Sequence, residues 1–500
     1  MASSHLIEIY RQHVQDWADR PAQRAKVDGQ WRDTTWRELG AALEGVAGGL
    51  VHLGHQAGDK VGLCARNMPE WTQVDLGILA ARGVTVPLYP TSTPEQARFI
   101  LRDAGIRILL VGEQPEVDLG LAFLAAGDLD HVIALDPKVD LKGEPRALSL
   151  QALIHLGEGP ASVGEVQRRA RELRRDDLLT LVYTSGTTGE PKGVMLDQAN
   201  VMEAMHLHDL RLKVEPGDVS LAMLPLCHIF ERAWTFYVLY RGGLNVYIRD
   251  PLTLIEIIGE VRPTHMCAVP RVYEKAYAGI HGRIAKASGL VRALFLWAMR
   301  AGTQRVRLRM LGQRPGPWLA LKLGLADRLI FRKLRALFGG RCKFFPVAGA
   351  SLADDVNVFF QAIGLNLKYG YGLSETCATV SCYEDGTLPI GTLGRPLDGL
   401  EVKLGEDHEL LVKGPTIMRG YYNRPDETAK AMTADGFLRT GDAGDIDAQG
   451  NLIFTERIKE LMKTSNGKYI APSGSRACWA RTPSSTRSPS SPTPATSFRR

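Results

Sequence analysis

Hydroxyl groups, glycines and one lysine are concentrated in the stretch YTSGTTGEPKGV, residues 183–194. The stretch overlaps the end of an apolar run, residues 178–183, which predicts a buried strand leading into a tight loop. Glycines let successive backbone N–H groups approach a ligand and form an anion-binding nest. The hydroxyls and the lysine add hydrogen-bond donors and a positive charge, so the loop is suited to a polyphosphate. The candidate phosphate ligands are Thr184, Ser185, Gly186, Thr187, Thr188, Gly189 and Lys192.

Two other interpretations of this loop are weaker. Flexible linkers share its composition, but they are seldom preceded by an apolar strand and closed by Pro-Lys-Gly-Val. A Walker A loop requires the pattern G-x-x-x-x-G-K-[ST]. Here the fifth residue after Gly186 is Pro191, and Gly193 follows Lys192 where Ser or Thr should stand. The Walker A interpretation is therefore excluded.

A second set of candidate ligands lies in YGYGLSET, residues 369–376, which follows another strand-like run. An aromatic ring such as Tyr371 could stack on a purine, and Gly372 would permit a close backbone approach. Glu375 could hold Mg²⁺, a cation that prefers oxygen ligands. The alternative is a simple strand-to-helix turn capped by Ser374.

Three further polar residues offer contacts to a nucleotide or an acid. Asp442 follows a glycine turn in TGD and could accept both hydroxyls of a ribose, and Arg457 could close on the same sugar. His228 lies in LPLCHIFER, residues 224–232, where its ring could line a carboxylate pocket. A lone histidine is also often a satisfied core residue.

The elements that position these residues follow an α/β rhythm. Strand-like runs at 61–65, 84–88 and 106–111 alternate with helix-like runs at 71–81 and 94–104, which predicts a parallel sheet with covered faces. Residues 1–60 are expected to be helical and peripheral. Strand-like runs at 401–404 and 409–412 indicate a small β subdomain. The length of 500 residues predicts at least two subdomains.

The segment 281–341 differs from the rest of the chain because it holds fourteen Lys or Arg and a single acid, Asp327. Its apolar residues recur at helical spacing. A basic helix pair with aromatic residues suits an anionic membrane surface, whereas a solvated helical face is the common alternative. Nucleic-acid binding is disfavoured because no motif of a nucleic-acid-binding fold accompanies the charge.

Cysteine content and hydropathy indicate a cytoplasmic protein. The seven cysteines include no C-x-x-C pair, so they are expected to be reduced thiols. Neither a signal peptide nor a charge-free run of eighteen apolar residues is visible, which predicts no transmembrane helix.

The order of these motifs carries more information than any one of them. YTSGTTGxPKG, YGLSET, TGD and ERIKE follow one another as in the adenylate-forming (AMP-binding) superfamily, which the sequence resembles over roughly residues 30–472. Residues 349–351 and 420–422 match two more family motifs. The stretch 224–232 and the basic insertion look most like long-chain fatty acyl-CoA synthetases.

The resemblance implies a division of the chain and a set of roles. A large adenylation domain of stacked α/β sheets would span 1–456, with the basic insertion at 281–341 and a β subdomain at about 390–456; a hinge with Lys459 would span 457–472. Thr184, Lys192, His228 and Glu375 would be catalytic, and Glu375 would also be the metal ligand. Trp234 would be the gate to an acyl tunnel. The further ATP contacts would be Gly349, Ala350, Ser351, Tyr371, Gly372, Thr376, Asp442 and Arg457.

The reaction implied by the resemblance is the activation of a long-chain fatty acid by MgATP to an acyl-adenylate, followed by transfer of the acyl group to CoA. Fatty acid, ATP and CoA would be the partners, without nucleic acid, and with peripheral membrane contact through 281–341. Two alternatives remain: a nucleotide- and fatty-acid-binding remnant without turnover, and an enzyme that adenylates another carboxylic acid. Neither chain-length preference nor oligomeric state follows from the sequence; a homodimer is one option.

The family pattern breaks at residues 473–500, which are rich in Ser, Pro, Thr and Arg and are expected to be disordered. Codons can be chosen for 473–485 that, read one base out of phase, encode an amphipathic helix, so we interpret this stretch as a frameshift product. The C-terminal lid domain, with the family's catalytic lysine, would then be essentially missing and turnover impaired.

Overall fold

The computed structural model describes residues 5–184, 190–458, 462–463 and 469–470. Residues 185–189, Lys459 and the predicted tail at 473–500 lie outside this part of the chain, and the domain limits expected above remain predictions. The helices of the described residues are α1 (Leu6–Asp16), α2 (Trp36–His52), α3 (Pro69–Ala80), α4 (Pro94–Ala104), α5 (Gln114–Ala125), α6 (Leu150–Gly157), α7 (Pro160–Glu172), α8 (Gln198–Leu212), α9 (Ile229–Tyr240), α10 (Leu254–Val261), α11 (Pro270–Ala285), α12 (Gly289–Met310), α13 (Pro317–Ala326), α14 (Arg332–Ala336), α15 (Asp354–Ile363) and α16 (Pro425–Ala431).

Most of the strands in the described residues are short. They are β1 (Pro21–Val27), β2 (Gln30–Thr35), β3 (Lys60–Cys64), β4 (Val84–Pro87), β5 (Ile108–Val111), β6 (His131–Ala134), β7 (Ala147–Ser149), β8 (Leu178–Thr184), β9 (Lys192–Asp197), β10 (Val219–Ala222), β11 (Leu244–Tyr247), β12 (Phe345–Val347), β13 (Leu367–Tyr371), β14 (Ser381–Cys382), β15 (Arg395–Pro396), β16 (Glu401–Leu404), β17 (Glu409–Lys413), β18 (Gly420–Tyr421), β19 (Leu438–Ile446), β20 (Leu452–Arg457), β21 (Met462–Lys463) and β22 (Tyr469–Ile470).

The largest sheet has eight strands in the order β18-β9-β8-β4-β3-β5-β6-β7. From β8 to β7 its neighbours pair in parallel, and helices α3, α4 and α5 connect successive strands. β4 and β5 are buried at every residue, as expected for strands covered on both faces. The predicted parallel α/β sheet is confirmed. β9 returns antiparallel beside β8, so the candidate phosphate loop joins the two strands of a hairpin.

The expectation that residues 1–60 form a helical, peripheral layer holds only in part: α1 and α2 are helices, but two strands also form here and the layer is not peripheral. β1 and β2 lie in a second sheet of order β10-β11-β1-β2, and Trp36 at the start of α2 is fully buried. β1 pairs in parallel with β11, where Arg24 lies opposite Val246. Because that partner is more than two hundred residues away and β1 itself is half polar, its local pattern carries little strand signal.

Parallel pairing continues from this second sheet to the strands that precede the candidate site. An isolated bridge joins Ser220 of β10 to His265, and another joins Ala268 to Val347 of β12. β12 pairs in parallel with β13. The carboxyl ends of β10, β12 and β13 therefore meet at one edge, where ligands of open α/β sheets bind.

A separate antiparallel sheet of order β16-β17-β19-β20 confirms the strands predicted at 401–404 and 409–412. Its register places Asp442 of β19 directly opposite Arg457 of β20.

The basic segment is helical, as its spacing predicts, and comprises α12, α13, a short π-helical turn (Asp327–Phe331) and α14. Phe295, Ala298 and Gly302 of α12 are buried, and α12 packs against α15. Within the described residues, no helix combines the length and hydropathy needed to cross a membrane.

Candidate active site

A cavity of about 930 Å³ opens where the carboxyl ends of the parallel strands face the β19–β20 hairpin. This volume lies toward the upper end of the range of about 300–1,000 Å³ that is common for small-molecule sites. Eleven of the predicted residues line it, although they are spread over more than 270 positions of the sequence. They are Thr184, His228, Trp234, Gly349, Ala350, Ser351, Tyr371, Gly372, Glu375, Asp442 and Arg457.

Asp442 is held in the cavity wall by an aromatic residue and a basic residue. The Tyr371 hydroxyl donates to Oδ2 of Asp442 at 2.6 Å, and Nε of Arg457 lies 3.2 Å from Oδ1. Burial raises the pKa of the Asp442 carboxyl, although the hydrogen bond from Tyr371 opposes this shift. Oδ1 is buried and accepts no hydrogen bond within the described residues. A buried carboxylate oxygen that has an ion-pair partner but accepts no hydrogen bond fits the hydroxyl groups of a sugar.

Glu375 presents its carboxylate from the short 3₁₀ turn Ser374–Thr376 that follows β13. Its Oε1 accepts a hydrogen bond of 2.8 Å from the Tyr421 hydroxyl, whose pKa burial and the Glu375 charge raise. The described residues contain no cluster of three or more His, Cys, Asp or Glu that could hold a metal ion. One carboxylate fits Mg²⁺, because Mg²⁺ is commonly bound by one or two carboxylates together with substrate phosphates and water.

Thr376 lies behind the cavity wall rather than in it. The residue is fully buried, and its hydroxyl accepts from the Leu373 amide at 2.9 Å and donates to the Leu373 carbonyl at 3.1 Å. The hydroxyl therefore closes its own turn in this conformation. The predicted contact of Thr376 with a phosphate would require that turn to open.

Gly372 permits the close packing of this turn. A Cβ built on Gly372 would lie 1.3 Å from the carbonyl oxygen of Ala378. Cys377 and Ala378 both have positive φ values, 50° and 79°, so the chain reverses sharply after Thr376. The backbone on either side of Glu375 is thus fixed by contacts that exclude a side chain at position 372.

Replacing Gly372 with alanine is expected to lower affinity for the predicted nucleotide by about tenfold or more, because displaced site groups lose their alignment. The free energy of unfolding should fall by about 1–3 kcal/mol from overpacking. Nucleotide titration and urea unfolding measure the two effects. Gly164→Ala is the matched control, since Gly164 lies in α7 with open space around its Cβ position. Equal nucleotide affinity in the two variants would contradict the prediction.

The loop of the predicted base contact is fixed by Tyr369. The Tyr369 hydroxyl accepts from the Leu352 amide and donates to the Ala350 carbonyl, both at 3.1 Å. Gly349 has a φ of +86°, which favours glycine at the start of the loop. Gly349, Ala350 and Ser351 are exposed to the cavity, so their backbone groups are accessible to a ligand.

Lys192 lies at the start of β9 opposite Thr184, beside the cavity wall. Its ammonium group forms an ion pair with Glu427 of α16 and lies 5.4 Å from the centre of the Tyr421 ring. Hydrogen bonds from Lys192 and Lys430 lower the pKa of the Glu427 carboxyl to about 2. Contact between Lys192 and a phosphate would therefore exchange one anionic partner for another. Residues 185–189, the remaining candidate phosphate ligands, lie outside the described residues.

His228 caps the N-terminus of α9, where its Nδ1 accepts from the Phe230 amide at 3.2 Å. The ring is open to the cavity but otherwise surrounded by protein, and this burial lowers its pKa. Three residues on, Glu231 accepts a hydrogen bond from the Leu224 amide and so holds the turn before the helix. Burial raises the pKa of the Glu231 carboxyl to about 8.

Trp234 reaches the cavity with only an edge of its ring, because the residue is 3% exposed. Its indole nitrogen donates to the Ser220 hydroxyl at 2.8 Å, and the ring packs against Tyr237, His265 and Phe344. Movement of the ring as a gate would break that hydrogen bond, so the gate remains a prediction.

Sequence reasoning missed several residues of the cavity and of its surroundings. His208 of α8 lines it and contacts the Thr379 hydroxyl through Nε2 at 2.9 Å, and burial lowers its pKa to about 4. These two residues are 171 positions apart, so no local pattern links them. The pairing of Lys192 with Glu427 was missed for the same reason. Tyr421 could have been found, because it lies in a recognised motif, 420–422.

Known proteins match this chain over most of its length. A profile of the AMP-binding enzymes matches residues 10–422. The long-chain-fatty-acid–CoA ligase FadD15 of Mycobacterium bovis is 36% identical over 470 residues, which cover 92% of this chain and 75% of the relative. The peroxisomal long chain acyl-CoA synthetase 7 of Arabidopsis thaliana is 32% identical over 493 residues, 94% of this chain and 67% of the relative.

A solved structure agrees in fold. A Mycobacterium tuberculosis fatty acyl CoA synthetase superimposes with a TM-score of 0.68 at 21% identity, covering 96% of this chain and 83% of the other. The sequence matches and the fold lead to the same assignment: this chain belongs to the family of AMP-binding enzymes.

Proposed function

We propose that this protein activates a long-chain fatty acid with MgATP to an acyl-adenylate and transfers the acyl group to CoA. The observation that carries the proposal is the single cavity that collects eleven predicted site residues from five separate parts of the fold. The names of the relatives above 30% identity, a long-chain-fatty-acid–CoA ligase and a long chain acyl-CoA synthetase, support a fatty acid over an aryl or amino acid.

In the first half of the reaction, a carboxylate oxygen of the acid attacks the α-phosphorus of ATP. The bond from that phosphorus to the bridging oxygen breaks, and pyrophosphate leaves. The carboxylate is already a competent nucleophile, so the site acts mainly by positioning and by offsetting charge. In the second half, the CoA thiol attacks the acyl carbon, AMP leaves with the bonding electrons, and the thiol proton is released.

The described residues divide this work between the two ends of the nucleotide. Asp442 would accept the ribose hydroxyls through Oδ1, which accepts no hydrogen bond from the described residues, and Arg457, its ion-pair partner, would hold the same sugar. Lys192 would exchange Glu427 for the phosphates. Glu375 would hold Mg²⁺, which supplies positive charge against the phosphate oxygens when bound.

The carboxylate of the acid would lie near His228. The cavity lining also includes apolar side chains, among them Leu212, Ile229, Trp234 and Leu393, which supports an alkyl chain as the other part of the acid.

The decisive experiment measures pyrophosphate release from ATP with palmitate, and then CoA thioester formation. Palmitate should support release well above background, whereas an aryl acid and an amino acid should compete poorly. Release at background level with every acid would contradict the proposal and favour a binding protein without turnover. Equal release with the aryl acid would identify a different substrate class.

Replacing Lys192 with alanine is expected to weaken ATP binding by about 10- to 100-fold, because hydrogen bonds to charged groups contribute roughly 1.5–3 kcal/mol each. Lys430→Ala is the matched control: both lysines donate to Glu427, but only Lys192 adjoins the candidate phosphate loop. Titration with MgATP measures both variants. If Lys192→Ala binds MgATP as the control does, Lys192 does not contact the phosphates.

We also propose that the segment 281–341 contacts a membrane surface. Its positive charge, almost wholly uncompensated, and its exposed apolar side chains support this contact.

A further inference from the structure

The positive charge of the segment 281–341 is almost wholly uncompensated. Of its fourteen Lys and Arg residues, only Arg335 forms an ion pair with a carboxylate in the described part of the chain, and that partner is Asp327. Arg305 instead donates to the backbone carbonyls of Gln361 and Ala362. Basic residues outside this segment account for every other ion pair among the described residues. A segment with this excess of positive charge attracts anionic surfaces.

Exposed apolar side chains accompany this charge. Among the described residues, twelve of the fifteen large hydrophobic residues that are exposed belong to α10 with its preceding turn or to residues 290–337. On α13, Trp318, Leu321 and Leu325 are more than half exposed, whereas Leu319, Leu323 and Ala326 on the same helix are buried. The helix therefore buries one face and presents a second apolar face outward. Apolar faces flanked by basic residues suit the interface of a bilayer.

A small basic pocket lies within this region, between α10 and α14. It has a volume of about 330 Å³ and is lined by three arginines, Arg262, Arg332 and Arg335, together with Ala336 and the glycines Gly259, Gly339 and Gly340. No acidic residue lines it. Three arginines that line one small space suit the oxygens of a phosphate group.

The three arginines differ in how they are held. Arg335 is fixed by Asp327 at 2.6 Å and by the Ile363 carbonyl at 2.7 Å, and Arg262 donates to the Gly339 carbonyl at 3.1 Å. The Arg332 side chain, in contrast, has neither a hydrogen bond nor an ion pair to any described residue. Two arginines are thus positioned by the fold, and the third is available to a ligand.

Gly339 shapes the floor of the pocket. Its φ is +81°, and a Cβ there would lie 2.7 Å from the Cα of Arg262. A side chain at position 339 would therefore push the end of α14 away from the end of α10. The pocket depends on this close approach of the two helices.

This pocket lies near the amino ends of the parallel strands, whereas the candidate active site lies at their carboxyl ends. Arg262 lies two residues before Thr264. The Thr264 amide donates to the carbonyl of Val219, the first residue of β10, and the Lys343 amide donates to the Thr264 carbonyl. The cavity residues follow the carboxyl ends of the same parallel strands. At about 3.3 Å per residue, strands of this length separate the two edges by roughly 10–15 Å. The pocket is therefore not part of the catalytic cavity.

We propose that the pocket of Arg262, Arg332 and Arg335 binds the phosphate of an anionic phospholipid headgroup when the α10–α14 face lies on a bilayer. The inference rests on the membrane contact proposed above and adds a specific site to it. Ile255 of α10 and Leu337 at the end of α14, exposed apolar residues on the two elements that form the pocket, enter the interface with it. The fixed guanidinium groups of Arg262 and Arg335 receive the phosphate, and Arg332 closes on it.

The test compares Arg332→Lys with Arg314→Lys in co-sedimentation with vesicles of phosphatidylglycerol and phosphatidylcholine. Arg314 is the matched control, because it is exposed in the same basic segment but lies outside the pocket. Both substitutions keep the charge, and only a site that uses the planar fork of arginine distinguishes them. We expect Arg332→Lys to lower the partition coefficient by about fivefold or more, and Arg314→Lys to leave it unchanged.

The possible outcomes distinguish a failure of the phosphate pocket from a failure of the membrane contact or of the proposed catalysis. Equal binding of the two variants overturns the pocket and leaves the membrane contact in place. Failure of the unaltered protein to bind phosphatidylglycerol vesicles overturns both. If inorganic phosphate displaces the protein from vesicles as effectively as glycerol phosphate does, the pocket binds a free anion, and the proposal of a lipid headgroup is overturned. Palmitate-dependent pyrophosphate release without vesicles should be the same in all variants, so a failure of catalysis is recognised separately.

Discussion

Replacing Asp75 with alanine is expected to lower the free energy of unfolding by about 3–5 kcal/mol, the usual cost of leaving a buried charge without its partner. Asp75 and Arg232 are 0% and 1% exposed. Nε and Nη2 of Arg232 donate to the two carboxylate oxygens at 2.8 and 2.6 Å, and Nη1 donates to the Thr180 hydroxyl at 2.6 Å. Without Asp75, the guanidinium would remain buried with a single hydroxyl acceptor. Urea unfolding followed by circular dichroism measures the loss.

Two control variants distinguish the effect of burying the charges from the effect of pairing them. Glu44→Ala breaks another two-point pair, that of Arg11 with Glu44, whose side chains are 28% and 43% exposed, and it should cost less than about 1 kcal/mol. The double variant Asp75→Leu/Arg232→Met removes both charges and should regain most of the stability lost by Asp75→Ala. An Asp75→Ala variant as stable as Glu44→Ala would show that the buried pair is not a major determinant of stability.

Replacing Glu375 with glutamine is expected to lower the rate of pyrophosphate release by about 10²–10³, the effect of removing one well-placed group that offsets transition-state charge. The substitution keeps the shape and an acceptor for the Tyr421 hydroxyl but removes the negative charge. If that charge holds Mg²⁺, the Mg²⁺ concentration for half-maximal rate should rise as the maximal rate falls. A Mg²⁺ titration at saturating ATP and palmitate measures both quantities.

One control variant tests the loss of a negative charge elsewhere on the protein, and the other tests the hydrogen bond that positions the Glu375 carboxylate. Glu406→Gln removes the same charge from an exposed surface turn and should leave the Mg²⁺ dependence unchanged. Tyr421→Phe removes the hydrogen bond but not the carboxylate, so it should lower the rate by about tenfold, less than Glu375→Gln does. If Glu375→Gln lowers the rate and leaves the Mg²⁺ requirement unaltered, the residue positions substrate without holding the metal.

Much of the candidate site could be predicted because its motifs are short and continuous. Thr184 ends β8 and Glu375 follows β13, and the ends of parallel strands meet on one side of a sheet, whereas Asp442 lies within β19. The expectation that Asp442 and Arg457 close on the same sugar agrees with their opposed positions on β19 and β20, since a hairpin brings such pairs together. The alternation of strands and helices from β3 to β6 could also be predicted, because strands that are buried on both faces are apolar throughout.

What could not be predicted depends on contacts between distant parts of the chain. β1 acquires its strand neighbour from β11, and Lys192 acquires Glu427 from 235 positions away. The involvement of the Thr376 hydroxyl in its own turn depends on the reversal at Cys377 and Ala378, which φ values reveal and residue types do not. Long-range partners of this kind leave no periodicity in the sequence.

Tyr421 contacts both Lys192 and Glu375, the predicted ligands of the phosphates and of Mg²⁺. β18, which carries it, pairs with β9, the strand that begins with Lys192. The face of the Tyr421 ring lies 5.4 Å from the Lys192 ammonium, while its hydroxyl donates to Glu375. A displacement of β9 would therefore be transmitted through β18 to the hydroxyl that donates to Glu375. Tyr421 thus couples the position of this carboxylate to that of the strand that carries Lys192.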